Sequence, residues 1–272
     1  MSPERAEFDA DDPAQVALWD ELPLWSALAG ALLLEHVPLR AARALDLGSG
    51  TGFPLLELAE RLGPAARVVG VDPWRAAHAR ADAKRRAWPV PQAHLVRADG
   101  ARLPFPAGAF ELVVSNLGVN NFADPEAALA ECRRVLAPGG VLALATNLQA
   151  HFLELYAVFD RVLEERGDVD ARGRLAVHVA HRPTLKQLVA LVTRADFRAS
   201  GVYERDAVMR FRDGAALLSH HFIALGFLPA WREVAGDAAT LAALREALDR
   251  AAAAAGELRL TVPLAAIVAT AG

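Results

Sequence analysis

The amino-acid sequence predicts an α/β fold with a doubly wound parallel sheet. From residue 43 onward, short apolar segments typical of strands alternate with amphipathic segments typical of helices. Strands that are separated by helices pair in parallel through right-handed crossovers. Helix-starting and chain-turning residues also stand at the expected junctions, as in Asp124-Pro125 and in Ala137-Pro138-Gly139-Gly140.

The first half of the chain accounts for most of the sheet. Residues 13–37 predict one or two amphipathic helices before the first strand, with Trp19, Trp25 and Leu32–Leu34 on their apolar surface. The predicted strands are Arg43–Leu47, Arg67–Asp72, His94–Ala98, Leu112–Asn116 and Val141–Thr146. The helices between them are expected near residues 53–62, 75–87 and 125–137.

The second half is less regular. Helical segments are predicted at residues 150–166, 184–195, 213–228 and 238–255, and strands at Val202–Phe211 and Glu257–Ala269. Pro263 favours an edge or bulge position for the last strand, because proline cannot donate to a ladder. The segment Asp168–Arg174 is predicted to be a mobile loop.

Composition predicts a soluble, cytoplasmic, globular protein without nucleic-acid or membrane partners. The chain has 272 residues, of which 54% are hydrophobic and 23% charged, and its formal net charge is −4. The basic stretch Arg80–Arg86 contains Asp82 and is interpreted as a solvated helix face. The apolar run Leu22–Leu34 is too short to span a bilayer, and the acidic start of the chain is unlike a secretory signal. Cys132 is the single cysteine, which excludes an internal disulfide and a multi-thiolate metal site.

The candidate site begins with three glycines after the first predicted strand, in the segment ALDLGSGTGF at residues 44–53. Ligands of open parallel sheets bind beyond the carboxyl ends of the strands, where glycines let the backbone approach closely. Asp72 ends the second strand and can accept hydrogen bonds from both hydroxyls of a ribose. Asp99-Gly100 follows the third strand, where a carboxylate can accept from the amino group of a base. If the glycines are considered alone, a tight turn without a ligand is the alternative. It does not explain why three aspartates, Asp46, Asp72 and Asp99, stand near the ends of successive strands.

The glycine spacing separates two classes of cofactor. A dinucleotide fingerprint is G-x-G-x-x-G, and counting from Gly48 its third glycine would fall at Phe53. The sequence instead has G-x-G-x-G, with Asp46 two residues upstream. A carboxylate is an unfavourable neighbour for a pyrophosphate, whereas a ligand that carries an ammonium and a sulfonium is compatible with it.

The segments ALDLGSGTGFPLLELA, VVGVDP, RADGARLPFPAGAFELVVSN and AALAECRRVLAPGGVLALAT resemble class I S-adenosylmethionine-dependent methyltransferases. The similarity is greatest to the small-molecule branch that includes the ubiquinone- and menaquinone-biosynthesis type. It implies a Rossmann-like, seven-stranded sheet of order 3-2-1-4-5-7-6 with the last strand antiparallel. Residues 1–272 would form one domain, with a helical cap at 1–42, a cofactor-binding core at 43–147, and substrate-covering helices and the last two strands at 148–272.

The resemblance also implies roles for individual residues around S-adenosylmethionine. Asp46 and the loop Gly48, Ser49, Gly50, Thr51 and Gly52 would hold the methionine portion. Asp72 would bind the ribose, Pro73 or Trp74 would flank the adenine, and Asp99 with Gly100 would reach its amino group. Asn116 and Leu117 would border the sulfonium.

The residues that act on the methyl acceptor are harder to identify. Ser115-Asn116-Leu117-Gly118 stands where enzymes that methylate amino groups of bases or glutamine often carry Asn-Pro-Pro-Tyr, which disfavours that class. Asn120 and Asn121 could orient a substrate oxygen or simply form a turn. His151 is the candidate general base, and a methyl transfer needs few other catalytic groups. No metal is expected, because the histidine pairs 178/181 and 220/221 lack an acidic third ligand in register.

Three functions remain open from the residues. The leading one is methyl transfer to oxygen or carbon of a small, apolar or aromatic molecule. A non-catalytic, cofactor-binding regulatory module and a nicotinamide-dependent oxidoreductase are the alternatives, and the oligomeric state is undetermined. Aromatic residues in the second half either form core or line an apolar acceptor pocket; they are Phe152, Tyr156, Phe159, Phe211, Phe222, Phe227 and Trp231.

Overall fold

A computed structural model describes residues 9, 11–14, 16–17 and 24–271. Of the N-terminal helices predicted at residues 13–37, it shows α1 at Trp25–His36, while Trp19 lies outside the described residues. The other helices are α2 (Leu55–Leu62), α3 (Arg75–Ala87), α4 (Pro125–Val135), α5 (Leu153–Glu165), α6 (Val169–Ala180), α7 (Leu185–Arg194), α8 (Gly214–Ser219), α9 (His221–Gly226), α10 (Leu228–Ala235) and α11 (Ala238–Ala255).

The described residues form one seven-stranded sheet of order β3-β2-β1-β4-β5-β7-β6, as predicted. Strands β1 to β5 pair in parallel, and β7 runs antiparallel to β5. The strands are β1 (Arg43–Leu47), β2 (Arg67–Val71), β3 (Ala93–Val96), β4 (Phe110–Asn116), β5 (Leu136–Asn147), β6 (Phe197–Phe211) and β7 (Leu258–Ala271).

The chain divides into two compact units. The sheet unit comprises the described residues within 11–147, Thr184–Arg205 and 264–271. Its core is built from side chains of central strands and of α2, and includes Leu45, Leu47, Leu55, Leu58 and Leu112. Four of the five residues of β1 are buried, as expected for a central parallel strand that is covered on both faces.

Among the described residues, the helical unit comprises Leu148–Pro183 and Asp206–Pro263. Large aromatic side chains fill its core, and Phe152, Phe159, Phe222 and Trp231 are fully buried there. Aromatic residues bury large apolar areas, so these four stabilise the core of this unit. The division of the whole chain into cap, cofactor core and C-terminal half stays a prediction.

The predicted mobile loop at Asp168–Arg174 is wrong, because this segment starts helix α6. The Asp168 carboxylate accepts a hydrogen bond from the Ala171 backbone N–H at 2.8 Å and so caps the helix. Arg172 forms ion pairs with Asp160 at 2.8 Å and Glu164 at 3.3 Å, both on α5. These contacts and the burial of Leu175 outweigh the glycine at position 173.

Two other differences have a local physical cause. Helix α4 ends at Val135, before the predicted 137, because Leu136 already pairs with Phe110 of β4. Strand β7 lies between β5 and β6, yet Pro263 does not interrupt its pairing with β5, which covers Leu264–Thr270. The Pro263 carbonyl instead accepts from the Leu148 N–H at 2.9 Å.

Candidate active site

The glycine loop, defined as Gly48–Gly52, follows β1 at the carboxyl edge of the sheet. All three glycines have positive φ, 79° for Gly48, 49° for Gly50 and 103° for Gly52. This region of backbone space favours glycine over residues with a Cβ. The backbone N–H groups of Gly48 and Ser49 donate to the Val71 carbonyl at 2.8 and 3.1 Å, which fixes the start of the loop against the end of β2.

Asp72, directly after β2, holds the middle of this loop. One carboxylate oxygen accepts from the Gly50 N–H at 2.9 Å, and the other accepts from the Trp74 N–H at 2.8 Å. A carboxylate has about four lone-pair sites, so two hydrogen bonds leave capacity for the hydroxyls of a ligand. The structure therefore brings Asp72 and the glycine loop together, as the sequence predicts for a ribose site.

Asp46 is buried inside the sheet unit without a counter-ion. Its residue is 0% exposed, and neither carboxylate oxygen has a hydrogen-bond partner among the described residues. Burial, followed by the negative charge of Asp72, raises the pKa of Asp46 to about 8, and the nearby Leu55 N–H opposes this only weakly. A buried carboxyl group of this kind fits a ligand that brings a positive charge close to it.

The ends of β1 and β4 are joined behind the glycine loop. The Ser115 hydroxyl donates to the Leu47 carbonyl at 2.7 Å, and Gly118 packs so closely on the Ser115 hydroxyl that no larger residue fits there. Asn116, 7% exposed, donates through Nδ2 to the Ser26 carbonyl of α1 at 2.9 Å. Its Oδ1 is buried and has no partner in the described part of the chain. Leu117 adopts a left-handed conformation, with φ 61°.

Helix α1 also touches the glycine loop itself. Gly30 lies against the ring of Phe53, so closely that any Cβ at position 30 would overlap it. Together with the bond from Asn116 to Ser26, this contact places α1 over the loop and over the end of β4. The sequence predicts a helical cap but not these two contacts, because both depend on where a helix far from them in the sequence is placed.

The other predicted cofactor residues lie along the same edge. Pro73 is exposed and Trp74 is half-buried at the start of α3. The exposed Asp99 accepts from the Ala101 N–H at 2.9 Å, while Gly100 is buried. The Thr51 carbonyl accepts from Lys84 Nζ at 3.0 Å, and the Ser49 hydroxyl lies 3.5 Å from His78 Nε2.

The two asparagines predicted to orient an acceptor use their amide donors within the protein. Asn120 Nδ2 donates to both the backbone carbonyl and the side-chain oxygen of Asn147, each at 3.1 Å. Asn121 Nδ2 donates to the Leu117 carbonyl at 2.9 Å. The role predicted for Asn120 and Asn121 therefore stays a prediction, and Asn147, which no sequence motif indicates, lies beside Asn120.

His151 belongs to the helical unit and is 2% exposed. Its Nδ1 lies 3.1 Å from the Leu148 carbonyl, which can only accept, so the ring donates through Nδ1 and keeps Nε2 as an acceptor. Burial, aided by the charge of Arg182, lowers the pKa of His151 to about 4. The imidazole is thus neutral at pH 7, which a general base requires, although its basicity is low.

Aromatic side chains surround His151 within this unit. Its ring centroid lies 5.3 Å from that of Phe152 and 5.8 Å from that of Tyr156. The Tyr156 hydroxyl lies 3.1 Å from His178 Nε2 and accepts from Trp231 Nε1 at 3.4 Å. In the described residues, no three His, Cys, Asp or Glu side chains are grouped to hold a metal ion. No helix in the same residues is both long and apolar enough to cross a membrane.

Comparison with known proteins adds independent information. The family model described as "Methyltransferase domain" matches residues 45–144. Demethylmenaquinone methyltransferase of Thermus thermophilus is 40% identical over 184 residues, which cover 64% of this chain and 80% of that protein. Malonyl-[acyl-carrier protein] O-methyltransferase of Geobacter sulfurreducens is 36% identical over 187 residues, which cover 68% of this chain and 67% of the relative.

Solved structures agree at the level of the fold. The YcgJ protein of Bacillus subtilis superposes with a TM-score of 0.59 at 16% identity, over 90% of this chain and 98% of its own. An S-adenosylmethionine-dependent methyltransferase of Aquifex aeolicus gives a TM-score of 0.54 at 18% identity, over 70% of this chain and 91% of its own.

Proposed function

We propose a reaction for this chain from one established premise: it belongs to the S-adenosylmethionine-dependent methyltransferases. It is an enzyme of the small-molecule type, and its cofactor is S-adenosylmethionine. We propose that the acceptor is a small apolar or aromatic molecule that is methylated on oxygen or carbon. The non-catalytic module and the nicotinamide-dependent oxidoreductase are not retained, because the family differs from both in activity or cofactor.

The residues at the carboxyl edge of the sheet suit this cofactor. We propose that Asp46 faces its cationic amino-acid portion, that Asp72 accepts from the ribose hydroxyls, and that Trp74 and Asp99 lie beside the adenine. The buried, unpartnered carboxyl group of Asp46 next to the glycine loop is the observation that carries this assignment. A dinucleotide pyrophosphate would bring no positive charge to offset the ionisation of that carboxyl group.

When bound, S-adenosylmethionine supplies an electrophilic methyl group, and its loss leaves a neutral thioether. The chain therefore needs to hold the acceptor in line and to exclude water more than to supply a strong acid. Alignment of this kind is worth several kcal/mol, up to about 10 kcal/mol, of the barrier. His151 stays the proposed base, because burial keeps its imidazole neutral at pH 7.

The acceptor class is supported by the relatives. One is named for demethylmenaquinone and another for a malonyl group on acyl-carrier protein, and both names describe acceptors with oxygen atoms at or near an apolar chain or ring. A phenolic ring and a malonyl thioester therefore define the two ends of the acceptor range that we propose for this chain.

The test combines binding and transfer. Calorimetry should give saturable binding of S-adenosylmethionine and S-adenosylhomocysteine but not of NADH. Incubation with methyl-labelled cofactor and either a naphthohydroquinone or a malonyl thioester should then place label on an oxygen or carbon of one of them. Binding of the cofactor with label appearing only on amino groups of a metabolite extract would contradict the proposed acceptor class.

A further inference from the structure

Asn147 ends β5 with a hydrogen-bond donor that nothing in the described structure satisfies. The residue is 3% exposed, and its Nδ2 is buried without a hydrogen-bond partner among the described residues. Buried polar groups in native proteins are almost always paired, so each exception needs an explanation. An N–H that is left for a ligand is one such explanation.

The orientation of this amide is fixed by its neighbour. Asn147 Oδ1 and the Asn147 backbone carbonyl both accept from Asn120 Nδ2 at 3.1 Å. Turning the Asn147 amide over would set its NH₂ group against the NH₂ group of Asn120, where neither could accept. Asn120 therefore holds the Asn147 donor in one direction, which explains why a polar side chain is retained at a buried position.

The position of Asn147 relates it to methyl transfer. Asn116 of β4 pairs with Ala145 of β5, so Asn147 lies just beyond Asn116 at the same carboxyl edge. In the sheet order, β2 and β3 lie on one side of β1, and β4 and β5 lie on the other. The proposed ribose and adenine residues follow β2 and β3, so the methyl group and its acceptor belong on the β4 and β5 side.

We infer that the Asn147 side-chain amide donates a hydrogen bond to an oxygen atom of the methyl acceptor. This inference rests on the proposed function and narrows it, because the acceptor must then carry a carbonyl, carboxylate or phenolic oxygen at or next to the methylated atom. It also gives different roles to Asn147 and Asn120. Asn147 contacts the acceptor, and Asn120 positions Asn147.

The decisive variant is Asn147→Leu, which removes the donor at nearly constant volume. The change also removes Asn147 Oδ1, which accepts from Asn120 Nδ2, so some loss of melting temperature is expected whatever the role of the Nδ2 donor. We further expect kcat/KM for the acceptor to fall at least tenfold, while the affinity for S-adenosylhomocysteine changes less than twofold.

Two further variants control for the environment. Asn147→Asp keeps an oxygen for Asn120 but presents no amide donor, and it should also lower kcat/KM at least tenfold. Thr193→Val removes a hydroxyl that donates to the Val189 carbonyl on α7, away from the asparagine pair, and should leave kcat/KM within twofold of the wild type.

Each remaining result would overturn the inference. A tenfold loss of S-adenosylhomocysteine affinity in Asn147→Leu would assign the donor to the cofactor. Wild-type kcat/KM in Asn147→Leu would reject the inference alone, whereas failure of the wild-type protein to methylate any acceptor would reject the proposed function together with it.

Discussion

Asp46 shows at the scale of one residue how the site is prepared for a cation. An aspartate with a folded-state pKa of about 8 binds its proton far more tightly in the folded chain than in the unfolded chain, where the value is 3.8. Its contribution to stability is therefore complete below about pH 4 and is lost as the pH rises toward 8. At neutral pH, the ligand-free protein is therefore less stable than it is near pH 4 as far as Asp46 is concerned, because the buried carboxyl group has no partner among the described residues.

Asp46→Asn removes this dependence. We expect the ligand-free variant to be more stable than the wild type at pH 8, with a difference that shrinks by about 1.4 kcal/mol for each pH unit toward pH 4. Urea unfolding at pH 5, 6.5 and 8 would measure it. Parallel stability profiles for the two proteins would show that Asp46 is ionised, or paired, in the free chain.

Asp72 should affect ligand affinity more than stability. We expect Asp72→Ala to weaken binding of S-adenosylhomocysteine more than tenfold, because the ribose hydroxyls lose their acceptor and the Gly50 and Trp74 amides lose their restraint. Calorimetry measures the affinity. Asp160→Ala, which removes an exposed carboxylate in the helical unit, is the matched control. Unchanged affinity in Asp72→Ala would place the ribose elsewhere.

The sequence could predict one part of the site and not the other, for a physical reason. Asp72 and Asp99 are identified by position alone, because Asp72 directly follows β2 and Asp99 lies three residues after β3, which places both near the carboxyl edge. Asn147 is identified only in the structure, by its buried Nδ2 donor that has no hydrogen-bond partner among the described residues. Its donor is unpaired because Asn120 occupies its oxygen, and that pairing joins residues 27 positions apart.

Helix α6 gives a prediction at the scale of an element. Asp168→Ala removes the cap of the first turn and should lower the free energy of unfolding by about 1 kcal/mol. Asp170 lies in the same turn but accepts no capping bond, so Asp170→Ala should cost only a few tenths of a kcal/mol through the helix dipole. Chemical denaturation measures both. Equal effects of the two changes would mean that the cap is not formed in solution.

The error at this element has a clear source. Glycine and alternating charge around residue 170 are typical of a loop, but the same charges pair with α5 in the folded chain. Helices α8, α9 and α10 were also not resolved as separate elements by the prediction. Each of them has only 6 to 8 residues, and they follow one another almost without a break. Segments this short carry too few turns for a periodic pattern to separate them, so residues 213–228 looked like one helical stretch.

Strands and long helices were both predicted at their observed bounds where burial or periodicity is strong, as for β1 at Arg43–Leu47, α3 at Arg75–Ala87 and α11 at Ala238–Ala255. Central parallel strands are covered on both faces and therefore appear as nearly continuous apolar runs. Strand β1 matches its predicted bounds, and the order of all seven strands agrees with the order implied by the resemblance. Helix α6, by contrast, was missed, and β6 begins at Phe197 rather than at the predicted Val202.

Ligand binding and proton binding should be coupled in the molecule as a whole. Below pH 8, a cation beside Asp46 must displace its proton, so affinity for S-adenosylhomocysteine, whose amino group is charged, should rise up to tenfold per pH unit until about pH 8. Saturating ligand should therefore raise the melting temperature more at pH 8 than at pH 6.5. Differential scanning fluorimetry measures this. Asp46→Asn should show the same shift at both values, and a pH-independent shift in the wild type would contradict the coupling.

The contact between Gly30 and Phe53 restricts which substitutions are possible at these two positions during evolution. The helix and the loop occupy a shared volume, so a larger residue at position 30 is tolerated only after the ring at position 53 has shrunk. Substitutions at positions 30 and 53 are therefore coupled, and the smaller residue at position 53 has to come first. For protein engineering, a paired change at positions 30 and 53 would enlarge the space beside the glycine loop without altering any polar group in that loop.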